Sequence, residues 1–171
     1  MRHPLVVREL ADFCSRRSEL KVFAGLALVA TVAAIGVAAA NAGTPLSKAQ
    51  YLAKLRVASA EAAKAENLAF ASANSKSSTA AKVKANFKAW GAKESTLGRS
   101  FAALTPPAAA KRGNADLAHA DSVFGAQLLA LTAKFPSTKV GIFKLLLSTN
   151  LSGKKLVDHA VAELHAAGFR F

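Results

Sequence analysis

Apolar and polar positions follow each other along most of the chain with the period of an α-helix. The clearest pattern lies between residues 83 and 104, where large side chains recur at steps of four and three residues, as in a heptad repeat. The same steps recur between residues 117 and 135. The two patterns predict two long helices with inward-facing positions Val83, Phe87, Trp90, Glu94, Leu97, Phe101 and Leu104, and Leu117, Asp121, Phe124, Leu128, Leu131 and Phe135.

A short turn with two prolines separates these helices. Thr105, Pro106 and Pro107 end the first helix near residue 104, because proline cannot continue the hydrogen-bond ladder. The second helix is expected from about residue 108, and a short connection of this kind predicts an antiparallel hairpin. In such a hairpin, the carboxylates of Glu94 and Asp121 lie within about one helical turn of each other.

Three further segments complete the predicted bundle. Ser47 caps a helix that extends to about residue 73 and has a mostly small inward stripe. Residues 140–147 form either a short helix packed across the bundle or a β-strand, and residues 154–167 form the last helix. We therefore predict an all-α fold, an antiparallel helical bundle of four to five helices after an N-terminal signal or anchor helix. The small inward stripe is Tyr51, Leu55, Ala58, Ala62, Ala65 and Ala69.

The end of the last predicted helix is marked by Gly168, a natural C-terminal stop. Phe169 and Phe171 follow it and either fold back on the bundle or lie exposed. If they fold back, they add aromatic area to a core that is otherwise rich in alanine, which fills 40 of the 171 positions.

The N-terminal part has the features of an export signal. Residues 22–42 contain no charged side chain, and basic residues precede them at positions 16–21. Small residues end the segment, which predicts cleavage after Ala42. About 20 apolar residues can also span a bilayer, so an uncleaved transmembrane anchor is the alternative. The predicted organisation is a signal peptide at residues 1–42 and a helical bundle domain at residues 43–171.

The export route has two candidates. One segment resembles the twin-arginine export motif, with Glu19 where an apolar residue is usual; it reads Ser15-Arg16-Arg17-Ser18-Glu19-Leu20-Lys21. The general secretory route is the other candidate. Both routes predict a secreted or cell-surface protein, whereas an uncleaved segment predicts a single-pass membrane-anchored one.

The residue content argues against several classes of protein. The chain has one Cys, so neither a disulfide within the chain nor a zinc site built on Cys pairs is possible. Only seven Val or Ile residues follow Thr44, which disfavours an all-β fold. The sequence has no nucleophile elbow, P-loop or Rossmann glycine pattern. We therefore expect no enzymatic activity, no catalytic residue and no cofactor.

The charge balance suggests the kind of partner. The chain carries 23 Lys+Arg against 10 Asp+Glu, and from Thr44 onward the balance is 18 against 7. A basic surface attracts polyanions, and export directs it to envelope polymers or lipid headgroups rather than to a specific nucleic acid. The leading hypothesis is an envelope-associated binding or interaction module of undetermined oligomeric state, with a basic face formed by Lys82, Lys84, Lys88, Lys111 and Arg112.

Two alternatives use other residues. Glu94 and Asp121 are candidates for a metal-binding or carrier site, although the Glu-x-x-His motifs of metal-binding bundles are absent from the sequence. The competing structural interpretation pairs each carboxylate with a neighbouring base: Lys93, Arg99, His119 or another. An extracytoplasmic holdase-type chaperone is the other alternative, and it needs an exposed apolar groove lined by Phe143, Leu147, Phe169 and Phe171.

Three stretches carry a resemblance to a known group of proteins. They are residues 46–51 (LSKAQY), residues 101–107 (FAALTPP) and residues 156–169 (LVDHAVAELHAAGF). Together they resemble Ala-rich exported helical proteins of high-GC actinobacteria, which have no assigned activity. The resemblance implies export and a helical architecture, and it implies no catalytic residue.

Overall fold

The computed structural model describes residues 44–171, and the predicted signal or anchor segment lies outside the described residues. Within this range the chain forms five α-helices and one 3-10 turn, without a β-strand. The helices are α1 (Lys48–Asn74), α2 (Ala80–Ala102), α3 (Lys111–Ala133), α4 (Lys139–Ser148) and α5 (Ser152–Ala166). The all-α expectation is confirmed for this part of the chain, and the segment at 140–147 is a helix.

Side-chain caps fix where α1 and α2 begin. Ser47 Oγ accepts a hydrogen bond from the amide of Gln50, whose side chain accepts one from the amide of Ser47 at 2.9 Å. This reciprocal capping box satisfies two amides that the helix itself leaves unpaired. The hydroxyl of Thr79 similarly accepts from the amide of Lys82 at the start of α2. Helix α1 therefore begins directly after Ser47, as the sequence predicts.

The antiparallel pair of α2 and α3 is the most extensively packed pair in the bundle. Every predicted inward-facing position of the two helices is buried except Leu104, which lies half-buried beyond the end of α2. The turn differs from the prediction in one detail. The 3-10 turn Ala108–Ala110 follows Pro107, so α3 begins at Lys111 rather than near residue 108.

Small residues beside these apolar positions allow α2 and α3 to approach each other closely. A Cβ atom added to Gly98 would lie 2.8 Å from the carbonyl oxygen of Ala118. One added to Gly125 would lie 2.5 Å from the amide nitrogen of Ser95. Because a real Cβ cannot come so near to backbone atoms, these two positions require glycine at the observed helix separation.

Helix α5 packs along α3, which also caps it. The N-cap residue of α5, Leu151, has no side-chain hydrogen bond to offer the helix. The side chain of Gln127 on α3 accepts from the amide of Gly153 at 2.9 Å and donates to Ser152 Oγ at 2.8 Å. This tertiary cap fixes the start of α5 against the middle of α3.

The chain reverses after α5 in a Schellman motif. Gly168 has a φ angle of 83°, its amide donates to the carbonyl of His165, and the amide of Phe169 donates to the carbonyl of Leu164 at 2.9 Å. The reversal buries the Phe169 ring edge-on against the ring of Tyr51. Of the two outcomes expected for Phe169, folding back on the bundle is the correct one.

The core consists of two clusters, one at each end of the bundle. At the turn end, where α2 connects to α3 and α5 finishes, the cluster surrounds Tyr51 and Phe169. At the α4 end, where α1 connects to α2 and α3 connects to α4, it contains the aromatic side chains Phe87, Trp90 and Phe124. A cavity lies between the two clusters, and the outer surface of the α4 end is open to solvent.

Candidate functional site

A cavity of about 200 Å³ lies between α1 and α5, with α2 and α3 forming its floor. Helix α1 packs mainly on α2 and α5 mainly on α3, so the space between α1 and α5 is incompletely filled. The small side chains Ala58 and Ala62 of α1 face this space and leave it open. The other apolar wall residues are Leu55, Ala63, Trp90, Leu97, Phe101, Leu117, Phe124, Val157, Val161 and Phe171.

The two carboxylates predicted from the helix pattern both lie at this cavity. Glu94 is 5% exposed and Asp121 3% exposed. Burial raises the pKa of Asp121 to about 8, and the charge of Glu94 raises it in the same direction. Burial also raises the pKa of Glu94. The Trp90 Nε1 hydrogen bond to Glu94 Oε1 at 2.7 Å opposes this rise, the charge of Glu66 adds to it, and Lys154 opposes it.

The bases named as partners for these carboxylates do not pair with them. Lys93 pairs with Glu61 on α1 at 3.1 Å, and Arg99 Nη2 donates to the Thr96 hydroxyl. His119 is exposed on the surface of α3. The pairing expectation is wrong for these three because their side chains leave α2 and α3 on other sides than the buried apolar positions. The positive charge that acts on Glu94 comes instead from Lys154 on α5.

The metal alternative finds no third ligand. Among residues 44–171, no group of three or more His, Cys, Asp and Glu side chains is placed to hold a metal ion. On α5, His159 Nε2 lies 3.6 Å from Glu163 Oε1, four residues further along the helix. Glu163 Oε1 is also 3.2 Å from Arg112 Nη2, and the ring of His165 packs against the ring of Phe171.

The second candidate site is the outer surface of the α4 end. Residues 67–93 and 122–157 contain no Asp or Glu but carry ten lysines. The first segment supplies the α1–α2 loop and the start of α2, and the second supplies the end of α3 and all of α4. The lysines at this end are Lys76, Lys82, Lys84, Lys88, Lys134, Lys139 and Lys144.

Side-chain contacts bring these two acid-free segments together. The rings of Phe87 and Phe135 meet at 5.6 Å, which places the start of α2 beside the end of α3. Lys139 Nζ donates to the carbonyl of Ser75, linking α4 to the α1–α2 loop. Ile142 of α4 is buried in the same cluster as Phe87. The α4 end is therefore a single lysine-rich surface built from segments distant in sequence.

The predicted basic face is divided by this arrangement. At about 1.5 Å per residue, the three α2 lysines lie roughly 20–30 Å along the helix from the turn. At the turn end, Arg112 Nε lies 3.7 Å from Asp116 Oδ2, and Arg112 Nη2 lies 3.2 Å from Glu163 Oε1. The two carboxylates therefore balance the charge of Arg112. The expectation of one five-residue face is wrong, because Lys82, Lys84 and Lys88 lie at one end and Lys111 and Arg112 at the other.

Helix α4 adds exposed apolar side chains to the basic end. Only Ile142 of its ten residues is buried. Val140 is 67% exposed and Leu147 58% exposed, while Phe143 is half-buried. From the sequence, Phe143 and Leu147 are predicted only for a groove shared with Phe169 and Phe171, and Val140 is not singled out. Two signals in the sequence mark this outward apolar surface, namely the lack of a polar face in residues 140–147 and the lack of acids around them.

The groove required by the chaperone alternative is not formed by the four residues proposed for it. Phe143 packs against the core cluster of the α4 end, and Leu147 lies exposed on the same helix. Phe169 and Phe171 belong to the cluster at the turn end. That expectation is wrong, because the antiparallel course of α3 and α5 places the two pairs at opposite ends.

Comparisons with known protein families, with curated proteins and with solved structures find no match to this chain. No helix among residues 44–171 is long and apolar enough to cross a membrane. The resemblance to exported actinobacterial proteins stays a prediction from the residues. Function is therefore inferred from the cavity and from the α4 end.

Proposed function

We propose that this protein is an exported, non-enzymatic module that attaches to anionic lipid surfaces through its α4 end. The observation that carries the proposal is the coincidence of exposed apolar side chains with lysines in two segments that lack Asp and Glu. A membrane rich in anionic lipids complements both features, since it offers phosphate groups at its surface and apolar chains just below. The predicted export signal supports an encounter with such surfaces at the cell envelope.

The lysines supply the electrostatic part of the attraction. Lys84 and Lys88 are exposed four residues apart on one side of α2, and Lys144 is exposed on α4. A basic side chain close to an anionic membrane contributes about 1 kcal/mol to binding. No carboxylate within the two segments offsets that contribution. Several lysines acting together therefore suffice for measurable attachment that weakens as salt rises.

The apolar side chains favour a lipid surface over a soluble polyanion. Val140 and Leu147 are seven residues apart, so they extend from the same side of α4 about two turns apart. Complete burial of such side chains contributes about 1.5–3 kcal/mol each. The headgroup layer of a membrane allows partial burial of these side chains, whereas a soluble polymer such as polyphosphate offers no apolar region in which they can be buried.

The test compares two double variants of the full-length protein that lose the same charge. Lys88→Gln with Lys144→Gln removes two lysines from the α4 end, and Lys111→Gln with Arg112→Gln removes two bases from the turn end. Co-sedimentation with vesicles of phosphatidylglycerol and phosphatidylcholine measures affinity, and phosphatidylcholine alone gives the baseline. We expect a loss of about 2 kcal/mol, roughly 30-fold, for the first variant and little change for the second. Any binding by residues 1–43 is common to both variants.

A third variant distinguishes lipid from soluble polymer. Leu147→Gln removes an exposed apolar side chain without changing the charge, so we expect weaker vesicle binding and unchanged binding to inorganic polyphosphate. Equal losses in the two double variants, or binding that does not respond to salt, would refute the role of the α4 end. Polyphosphate binding as tight as vesicle binding and insensitive to Leu147→Gln would identify a polymer as the partner instead.

A further inference from the structure

The cavity between α1 and α5 has a polar pole within apolar walls. The floor residues Glu94 and Asp121 form that pole, and Trp90, Phe101 and Phe124 supply aromatic surface around it. Buried carboxylates are costly unless a counter-charge or hydrogen-bond donors accompany them. Only one such donor, Trp90 Nε1, is seen for the pair in the described part of the chain.

We propose that this cavity is a binding site for a small organic ammonium ion, such as an arylalkylamine. The ammonium group would lie between Glu94 and Asp121, and the carbon skeleton would occupy the aromatic and aliphatic part of the cavity. This site is independent of the lipid-binding surface, because it lies between helices rather than on the exterior of the α4 end.

Asp121 is the residue that most clearly points to a ligand. It is 3% exposed, and within residues 44–171 its carboxyl group accepts no hydrogen bond from the protein. In the described range, the polar atoms that are fully enclosed and lack a partner are Glu163 Oε2 and His165 Nε2. The Asp121 oxygens are not in this group, so they are not fully enclosed by protein atoms. The Asp121 carboxyl is therefore buried, without a donor, and directed at the open space of the cavity.

The neighbouring lysine does not already fill the role of the counter-ion. Lys154 lines the cavity from α5, but its Nζ atom forms an ion pair with Asp158 at 2.7 Å. Its charge lowers the pKa of Glu94, whereas the pKa of Asp121 is set by burial and by Glu94. A ligand cation at the pole would lie beside the carboxyl groups of Glu94 on α2 and Asp121 on α3, with Glu66 of α1 also on the cavity wall.

The size and the walls of the cavity define the apolar part of the ligand. A cavity of about 150 Å³ in a protein core suffices to bind benzene. The present volume of about 200 Å³ therefore suits one aromatic ring with a short amine arm. Trp90 and Phe124 meet edge to face, with ring centroids 5.3 Å apart, and aromatic faces of this kind also attract ammonium groups.

Proton linkage gives the site a distinctive pH signature. In the empty cavity, burial and Glu94 raise the pKa of Asp121 to about 8, so Asp121 holds a proton at neutral pH. An ammonium ion favours the ionised carboxylate and displaces that proton. Affinity for the amine should therefore rise as pH increases from 6 to about 8, while Glu66, Glu94 and Lys154 modulate the slope.

The experiment uses the intrinsic fluorescence of Trp90, the only tryptophan in the sequence, in the full-length protein. The probes are 2-phenylethylamine, the neutral 2-phenylethanol and the anionic 3-phenylpropionate. We expect a saturable fluorescence change with the amine, with affinity at least about tenfold above that of the alcohol, because a charge-assisted hydrogen bond exceeds a neutral one. Binding of the alcohol or the acid as tight as that of the amine would overturn the proposal.

Variants on three helices separate a site from a fluorescence artefact. Asp121→Asn should weaken amine binding at least about tenfold and abolish its pH dependence, whereas Asp116→Asn, an acid of α3 paired with Arg112, should leave both unchanged. Ala62→Phe fills the cavity from α1 and should block the amine even where Asp121 is intact. Circular dichroism confirms folding of each variant. No saturable signal in the parent protein at millimolar amine would also contradict the proposal.

Discussion

The two ends of the bundle are both built from packed helices, but they differ in whether their polar and charged side chains have partners within the chain. At the turn end, the Tyr51 hydroxyl donates to Asn114 Oδ1 and Asn114 Nδ2 donates to the carbonyl of Phe101, each at 3.0 Å. Arg112 at the same end lies near two acids. At the α4 end, aromatic rings fill the interior and no Asp or Glu lies in the two segments that supply the surface lysines.

This difference shows which end of the bundle presents side chains that are available to bind a partner. Tyr51, Asn114 and Arg112 at the turn end find polar or charged partners within the chain, so that end contributes to stability. At the α4 end, lysine charges and the apolar side chains of Val140 and Leu147 face outward together. An external surface of opposite charge with an apolar layer can satisfy both. Mutations at the turn end should therefore affect folding, whereas mutations on the surface of the α4 end should affect binding.

Among substitutions at the two ends, the largest expected effect is on the polar contacts of the turn end. Asn114→Ala leaves the Tyr51 hydroxyl and the Phe101 carbonyl without their partner in a buried place, so we expect about 2–4 kcal/mol of lost stability. Urea denaturation measures this loss. The matched control is Asn86→Ala, whose exposed 3.3 Å bond to the Leu68 carbonyl should contribute less than about 1 kcal/mol. Vesicle binding by both variants should equal that of the parent protein.

Charge reversal at each end gives the next largest effect. Lys84→Glu changes the α4 end by two charge units, so we expect vesicle affinity to fall by about 2 kcal/mol, roughly 30-fold. Lys111→Glu makes the same change at the turn end and should leave vesicle affinity nearly unchanged. A titration of each full-length variant with anionic vesicles checks this difference. The division between the ends would be incorrect if both reversals weakened binding equally.

The buried carboxyl between the ends predicts a pH dependence of stability. Because the pKa of Asp121 is about 8 in the folded chain and near 4 in the unfolded one, the folded state binds more protons between these values. Stability should therefore fall as pH rises from about 4 to 8, with a slope approaching 1.4 kcal/mol per pH unit at most, about the value for one proton. The raised pKa of Glu94 acts in the same direction.

Urea denaturation at several pH values tests this linkage. Asp121→Asn cannot ionise, so its stability should depend less on pH and should exceed that of the parent protein at pH 8. Lys154 and Glu66 oppose each other in their effect on Glu94 and alter the slope only slightly. A parent protein that becomes more stable from pH 5 to 8 would contradict the buried, protonated state of Asp121.

The smallest expected effect concerns the ion pairs of the turn end. The side chain of Arg112 is 84% exposed, and its contacts with Asp116 and Glu163 are screened by water. Arg112→Gln should therefore change the free energy of unfolding by less than about 1 kcal/mol. Vesicle binding should also remain unchanged. Thermal denaturation measures the stability of this variant, and co-sedimentation of the same preparation measures its vesicle binding.

The sequence predicted much of this fold because local signals set the helices. The capping residues Ser47 and Thr79 mark two helix starts, and apolar spacing identifies the buried side of α2 and α3. The same spacing placed Glu94 and Asp121 at neighbouring levels of the hairpin, which the shared cavity and their electrostatic interaction confirm. Helical periodicity is therefore sufficient to predict which side of a single helix is buried.

Features that depend on several segments were not predictable in this way. The cavity exists because small residues of α1, such as Ala62, lie opposite α5. The apolar pattern of one helix does not predict which other helices lie next to it. The basic face was misassigned because Lys88 lies near the start of α2 and Lys111 at the start of α3, and these two starts are at opposite ends of the antiparallel pair. Only the tertiary fold joins the two acid-free segments.

The attachment of the α4 end to an anionic membrane is tested most directly by a pair of site-specific probes. In full-length protein carrying Cys14→Ser, an environment-sensitive fluorophore is attached through Ser148→Cys at the end of α4 or through Ala103→Cys at the turn, both exposed positions. With phosphatidylglycerol vesicles, the account predicts a blue shift and quenching by lipid-borne quenchers at position 148 and neither at position 103. A response at position 103 equal to or larger than that at position 148 would contradict it.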